Sequence, residues 1–138
     1  MNFQLNQQIM WYTLPGMKYH RRSFKRSVAY ALRGIHGAVK YEFHMRVHIV
    51  LAVLAVCFGF VLRISHADWM YLTITITLVL FAELVNTAIE SYVDLATKEI
   101  EEEARVAKDV AAGAVLVTSV HAVLAAFIIF LPKIISFL

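Results

Sequence analysis

The stretch Trp69–Ile89, which reads WMYLTITITLVLFAELVNTAI, is the segment that decides the fold, and its only charged residue is Glu83. The run is close to the ~20 apolar residues that a helix needs to cross a ~30 Å hydrocarbon layer. A helix satisfies its own backbone hydrogen bonds in lipid, whereas a lone strand would leave them unpaired. The segment therefore predicts a transmembrane helix that carries a carboxylate inside the membrane.

Two further apolar runs accompany this one. Val47–Ile64 has no charge before Arg63, and Val110–Leu131 is uncharged although it contains His121, for which the sequence offers no evident partner. The chain is 60% hydrophobic and 17% charged, whereas about a quarter of the residues are charged in an ordinary soluble domain. We expect a single all-α membrane domain over residues 19–138, with three transmembrane helices at 47–64, 69–89 and 110–131.

The segment 19–41 predicts a helix of another kind. Apolar residues recur at helical spacing and basic residues surround them, a pattern typical of an amphipathic helix on an anionic membrane surface. The apolar positions are Phe24, Val28, Ala31, Leu32 and Ile35. Residues 1–18 form an N-terminal leader that lacks the form of a signal peptide, and no chemistry is assigned to it.

Basic residues predict the orientation. They are concentrated before the first span, from Lys18 to Arg46, and in the connection 91–109, whereas Arg63 and Lys133 are the basic residues on the other side. By the positive-inside rule, the N-terminus and the second connection face the cytosol. We therefore expect a multi-pass protein of the bacterial inner or plasma membrane, with a tight hairpin at 65–68 and a long charged loop at 91–109.

Glu83 begins a polar stripe on the second span. Asn86, Glu90 and Asp94 follow at three, seven and eleven residues, so that the four side chains nearly superimpose on one helical face; they are called the acidic stripe below. A carboxylate costs about 2.5–3.5 kcal/mol at the centre of a membrane helix and less near its end. Helix packing and a proton or ion pathway are possible roles, but a divalent metal site fits best, because Mg²⁺ takes carboxylate oxygens together with substrate phosphates.

Three residues near the third span have alternative interpretations. Lys108 is either an interfacial anchor or a phosphate contact. Asp109 has the residue type and place of an N-terminal cap for the third helix. Gly113 permits another helix to approach closely.

Glu42 stands just before the first span. By itself it would pair with Arg46, four residues on. Because it lies at the same membrane level as Glu90, the two carboxylates could instead share a metal ion.

Together these motifs resemble the bacterial diacylglycerol kinase/undecaprenol kinase family. The resemblance covers about residues 23–132, and it is carried by the acidic stripe within Ala82–Asp94, by Ala107–Leu116, and by Tyr30, Gly34, Glu42 and Arg46 upstream. It implies three transmembrane helices with a surface helix, and a homotrimer whose active sites form between neighbouring subunits. It also implies ATP and Mg²⁺ as phosphate donor and cofactor, and a membrane lipid alcohol as acceptor.

The same resemblance implies a role for each matched position. Glu83 is the general base that takes the proton of the lipid hydroxyl, and Glu42 and Glu90 hold Mg²⁺. Asn86 supports this arrangement, and three residues contact the nucleotide and its phosphates: Tyr30, Lys108 and Asp109. The role of Asp94 is left open.

Two positions depart from the family pattern. Glu101 stands where relatives often carry a nucleotide-binding His, and Ser23 stands in place of a surface-helix Arg. A Walker-type glycine-rich loop is absent from the sequence, so metal ions and Lys108 would have to neutralise the triphosphate.

The stretch Glu42–His48 and the form DVAAGA from Asp109 look more like the undecaprenol kinase branch. Undecaprenol is therefore the expected substrate, with diacylglycerol as the alternative. An ion- or proton-coupled membrane protein, with Glu83 as the carrier, is the alternative from another class. No nucleic-acid partner is expected.

Overall fold

The computed structural model describes residues 23–99 and 101–136, and these residues form four helices and no strand. The helices are α1 (Phe24–Tyr41), α2 (Phe43–Val61), α3 (His66–Ala96) and α4 (Glu102–Ile135). The last three are long and apolar enough to cross a membrane. The predicted all-α fold, with three candidate spans preceded by a further helix, is confirmed.

The chain divides into two compact units, one that ends at Leu32 and one that begins at Arg33. Helix α1 ends at Tyr41, as predicted. The predicted start at residue 19 and the leader 1–18 lie outside the described residues. The side chains of Phe24 and Leu32 are exposed, as expected for a helix whose apolar face meets a membrane surface.

The second unit is built around the interface between α3 and α4, called the seam below. These two helices pack against each other far more extensively than either packs on α2. The buried residues of α3 recur every three or four positions and so share one face: Leu72, Thr75, Val79, Ala82 and Glu83. Helix α4 contributes Ala111, Ala125 and Ile129. The small alanines let the helix axes approach closely, as is usual for helix pairs in membranes.

A polar contact crosses this seam in the middle of the spans. The Thr75 hydroxyl donates to the carbonyl of Tyr71 (2.9 Å) and lies 3.4 Å from Nε2 of His121. The ring of Tyr71 meets that of His121 edge-on, with centroids 5.7 Å apart. His121, which has no evident partner in the sequence, is thus held by two residues of α3.

The turn between α2 and α3 is a Schellman motif, in which the last carbonyls of a helix accept from residues beyond its end. Ile64 N donates to the Gly59 carbonyl (3.2 Å), and Arg63 N donates to the Phe60 carbonyl (3.3 Å). Arg63 takes the left-handed position of the motif, with φ of 48°. That position usually belongs to glycine, so the turn holds Arg63 in an unfavourable conformation.

Helix α3 then begins with a capping box. The Ser65 side chain accepts from the backbone N–H of Asp68 (3.2 Å), and the Asp68 carboxylate accepts from the backbone N–H of Ser65 (3.0 Å). Trp69 packs directly over Gly59, where an added Cβ would lie 2.8 Å from the indole ring. The predicted tight hairpin is confirmed, and its turn comprises residues 62–65.

The second connection is much shorter than predicted. Because α3 continues to Ala96 and α4 begins at Glu102, residues 97–101 are all that separate them, and the predicted long loop at 91–109 is wrong. The charged residues of this stretch belong to helix that extends beyond the apolar layer. Ala, Glu, Lys and Arg all favour helix in water, so a polar composition does not end the helices here. Asp109 therefore lies two turns inside α4 and does not cap it, which corrects the second prediction made for this region.

Replacing Arg63 by Gly is expected to raise the free energy of unfolding by about 1 kcal/mol, because Gly adopts the left-handed conformation without the clash of a Cβ. The measurement is reversible unfolding in mixed detergent and dodecyl sulfate micelles. Arg63→Ala is the matched control, since it removes the charge and keeps the clash. Equal stability of the two variants would contradict the prediction.

Candidate functional site

Three helix ends meet at one end of the bundle, called the charged end below. There α2 begins after Glu42, α3 ends beyond Asp94, and α4 begins with Glu102. The opposite end carries the Schellman turn. Most of the sequence-predicted site residues lie at or near the charged end, because the two antiparallel connections of the bundle bring them there.

The acidic stripe lies on α3 as predicted, and it is buried at Glu83 and exposed at Asp94, towards the charged end. Glu83 is only 3% exposed. Asn86 and Glu90 are half-buried, and Asp94 is exposed. From Glu83 to Asp94 the stripe rises by about 16 Å along the helix axis. It therefore forms a continuous polar line from the protein interior to the aqueous side.

Asn86 and Glu90 interact directly within this stripe. Asn86 Nδ2 donates to Glu90 Oε1 at 2.9 Å, while the buried Oδ1 of Asn86 has no hydrogen-bond partner in the described part of the chain. A buried acceptor left unpaired costs about 1–3 kcal/mol. An amide oxygen and carboxylate oxygens are ligands that Mg²⁺ accepts, so this half-satisfied pair fits a divalent cation.

Lys108 links α4 to the end of the acidic stripe. Its Nζ donates to Asp94 Oδ1 at 2.8 Å. Lys108 precedes the apolar segment of α4, and this hydrogen bond raises the pKa of its ammonium group. The two side chains are 36% and 63% exposed, so the pair contributes little to stability. The pair matters for position, because it holds the ammonium group of Lys108 beside Glu90 and Asp94.

Asp109 has a different partner. Arg105 Nη1 donates to Asp109 Oδ2 at 3.5 Å, and the same guanidinium forms an ion pair with Glu102. Spacings of three and four residues on a helix predict such pairs, so the sequence held a signal for Arg105 that the motif analysis missed. The carboxylate of Asp109 is exposed and remains accessible to a ligand.

A cavity of about 520 Å³ opens between the end of α3 and the start of α4. Its wall includes three cationic side chains, Lys98, Arg105 and Lys108, and three acidic ones, Asp94, Glu99 and Glu101. The formal charges of the wall therefore balance, and both cations and carboxylates are available to a polar ligand. Glu101, which replaces the family His, belongs to the same wall.

Glu42 occupies the single-residue break between α1 and α2, and its side chain is half-buried. The predicted ion pair with Arg46 is not formed among the described residues, because Arg46 Nη1 donates to the Lys40 carbonyl at 3.1 Å. The structure therefore leaves the Glu42 carboxylate free of that competitor.

Two predicted assignments remain predictions. Residues 23–99 and 101–136 hold no group of three or more His, Cys, Asp or Glu side chains that could bind a metal ion, and the assignment of Mg²⁺ to the pair Glu42 and Glu90 stays a prediction. Tyr30 lies on α1, within the unit that ends at Leu32.

Comparison with known proteins adds three similarities. A family profile described as prokaryotic diacylglycerol kinase matches residues 29–130. A Bacillus subtilis protein named undecaprenol kinase is 38% identical over 119 residues, which cover 84% of this chain and 97% of that protein. A Synechocystis protein named diacylglycerol kinase is 35% identical over 111 residues, which cover 80% of this chain and 63% of that longer relative.

Replacing Glu83 by Leu is expected to raise the free energy of unfolding by about 1–3 kcal/mol, because Glu83 is 3% exposed and burying a carboxyl group costs free energy that an apolar side chain does not cost. The measurement is again unfolding in mixed micelles. Glu103→Leu, at an exposed position of α4, is the control and should change stability by about 0.5 kcal/mol or less. A large loss of stability in Glu83→Leu would show that the carboxylate is a structural bond of the seam.

Proposed function

The chain belongs to the prokaryotic diacylglycerol kinase family and is therefore a lipid kinase, and from that premise we propose that it transfers the γ-phosphate of ATP to undecaprenol. The observation that carries the proposal is the acidic stripe, which runs from a buried carboxylate to the charged end. A lipid alcohol lies in the membrane and ATP is dissolved in water. The stripe connects the two phases on one helix.

Glu83 is the proposed general base. As the oxygen of the lipid hydroxyl forms its bond to the γ-phosphorus, the Glu83 carboxylate takes the hydroxyl proton. The bond from the γ-phosphorus to its bridging oxygen breaks, and ADP leaves with that oxygen. Burial of Glu83 keeps bulk water away from the carboxylate, which favours the lipid hydroxyl over water as acceptor.

The acceptor oxygens nearer the charged end are the proposed Mg²⁺ site. Glu42 and Glu90 would hold the ion, and the unpaired Oδ1 of Asn86 supports the assignment because it is an oxygen ligand with no partner in the described chain. Bound Mg²⁺ would neutralise charge on the phosphates, the main requirement of phosphoryl transfer. Asn86 also holds Glu90 in place through its own hydrogen bond.

Lys108, Asp109 and Tyr30 are the proposed nucleotide contacts. Lys108 Nζ is engaged by Asp94, and a phosphate oxygen offers it the same kind of charge-assisted hydrogen bond. Binding of ATP would therefore exchange one anionic partner for another. Asp94 would hold the ammonium group in the position where the phosphate needs it.

Undecaprenol is the proposed substrate because the relative that this chain matches over nearly its whole length is named undecaprenol kinase. Diacylglycerol is the second candidate, which the Synechocystis relative supports through its name. An ion-coupled function would make no use of the pairing of Lys108 with the end of the stripe. The kinase proposal uses every member of the stripe together with Lys108.

We also propose that the charged end faces the cytosol and that the chain assembles as a homotrimer in the bacterial plasma membrane. The distribution of Lys and Arg supports the orientation. Gly113 supports assembly, because a Cβ added there would meet no atom within 4 Å in this chain. The close approach predicted at Gly113 is thus not made by the described residues, which leaves this position for a neighbouring protomer in the proposed trimer.

Replacing Glu83 by Gln is expected to lower the rate of phosphate transfer to undecaprenol by about 10²–10⁴-fold, the usual contribution of a general base. The measurement is transfer of radiolabelled γ-phosphate in mixed micelles. Glu103→Gln changes an exposed Glu in the same way and should retain wild-type activity. Full activity of Glu83→Gln would remove Glu83 from the reaction.

Chelation of divalent cations is expected to abolish transfer, and Mg²⁺ is expected to restore it, because the cations that line the cavity at the charged end are matched by as many carboxylates and the charge of the triphosphate still has to be neutralised. Glu90→Gln should raise the Mg²⁺ concentration needed for half-maximal rate, since it removes one anionic ligand. Glu103→Gln, at an exposed position of α4 that does not line the cavity at the charged end, is the control. An unchanged Mg²⁺ requirement in Glu90→Gln would place the ion elsewhere.

A further inference from the structure

A second cavity, of about 280 Å³, lies among the three spanning helices. Small side chains create it, because alanines stand where larger residues would fill the space. Helix α2 contributes Ala52 and Ala55, helix α4 contributes Ala122 and Ala126, and helix α3 contributes Val79 and Leu80. This cavity is separate from the cavity with charged walls at the charged end, and none of the predicted site residues lines it.

The position of the cavity relates it to Glu83. Leu80 and Val79 precede Glu83 by three and four residues, which is one helical turn or about 5 Å. Val79 and Glu83 lie on the same face of α3, and both are buried. The cavity continues to Leu72, about 16 Å from Glu83 along the axis. It therefore extends the line of the acidic stripe into the apolar layer.

The lining suits a hydrocarbon. Its polar members are His48, Thr75 and Ser119, and the Thr75 hydroxyl already donates to the Tyr71 carbonyl and lies near His121. Water in a cavity needs two to four polar partners, and most of this wall offers none. His48 lies on α2 about 9 Å along the axis from Glu42, towards the depth of Glu83. His48 thus lies near the depth of Glu83 in the membrane, and the wall of the cavity beyond His48 is mainly apolar.

We propose that this cavity receives the tail of the lipid alcohol. It accepts the first part of the single hydrocarbon chain of an alcohol such as a polyprenol. This inference rests on the proposed function and specifies how the substrate is recognised. The volume is just below the ~300–1,000 Å³ range of small-molecule pockets, so it holds the start of one chain while the remainder lies in the bilayer. A diacylglycerol carries two chains beside its hydroxyl, and one of them would have to stay outside.

The test is photolabelling of the full chain in nanodiscs with a polyprenol that carries a diazirine near its hydroxyl end, followed by mass spectrometry. Wild type should be labelled on residues of the cavity wall. Ala126→Leu and Ala52→Leu each fill the space from a different helix, and each should lower that labelling about tenfold or more. Val120→Leu adds bulk at an exposed position of α4 and should leave it unchanged.

The readout separates the two proposals. Cavity labelling that the filling variants abolish supports the tail site, whether or not phosphate transfer is observed. Labelling confined to exposed positions such as Val120 and Leu124, and equal in all variants, overturns it and leaves the kinase proposal standing. If one filling variant unfolds in the micelle assay, the other still decides the result. Cavity labelling without phosphate transfer to any lipid would overturn the kinase proposal alone.

Discussion

The burial of a carboxylate in the α3–α4 seam is the constraint on which the rest of the structure depends. An ionisable group inside a membrane bundle is costly unless it faces protein or a polar path, and Glu83 is almost wholly covered by its own chain. The small residues Ala82 of α3 and Ala111 of α4 are buried as well, as expected where two helices pack closely. The remaining acidic stripe supplies the polar path, since it leads from buried Glu83 through half-buried Asn86 and Glu90 to exposed Asp94.

The length of α3 follows from the same constraint. Had the helix ended with its apolar segment, Ile89 would be its last residue, and Glu90 and Asp94 would both lie in a loop. Continuing to Ala96 keeps the stripe in register and brings Asp94 to Lys108 on α4. One rigid pair of helices thus carries the proposed base, the unpaired acceptor of Asn86 and a fixed cation. Placing such groups on helices positions them more exactly than loops would.

Periodicity and hydropathy were enough to predict the features that are set within a single helix or between consecutive helices. The three spans, the surface helix, the hairpin and the face shared by Glu83, Asn86, Glu90 and Asp94 all follow from spacing along the chain. What failed was the boundary at the charged end, because polar sequence was read as loop where it continues as solvated helix. The cap assigned to Asp109 failed with it.

Contacts between helices were beyond the sequence. The Lys108–Asp94 hydrogen bond joins residues fourteen apart, and it depends on how short the connection is. The Thr75–His121 contact and the alanine-lined cavity depend on the packing of two or three helices, which no single periodic pattern specifies. The pair Arg105 and Asp109 is the exception, because its spacing on α4 could have been read directly. The family resemblance, rather than spacing, assigned Tyr30 and Glu42.

The most direct test of the account is a competition in one vesicle population that contains undecaprenol and diacylglycerol at equal mole fraction, with ATP and Mg²⁺ outside. The account predicts that wild type transfers labelled phosphate to undecaprenol several-fold faster than to diacylglycerol. Faster transfer to diacylglycerol would contradict the proposed substrate and the single-chain cavity. Transfer to neither lipid, by a protein shown to be folded, would contradict the central claim that the acidic stripe serves phosphoryl transfer.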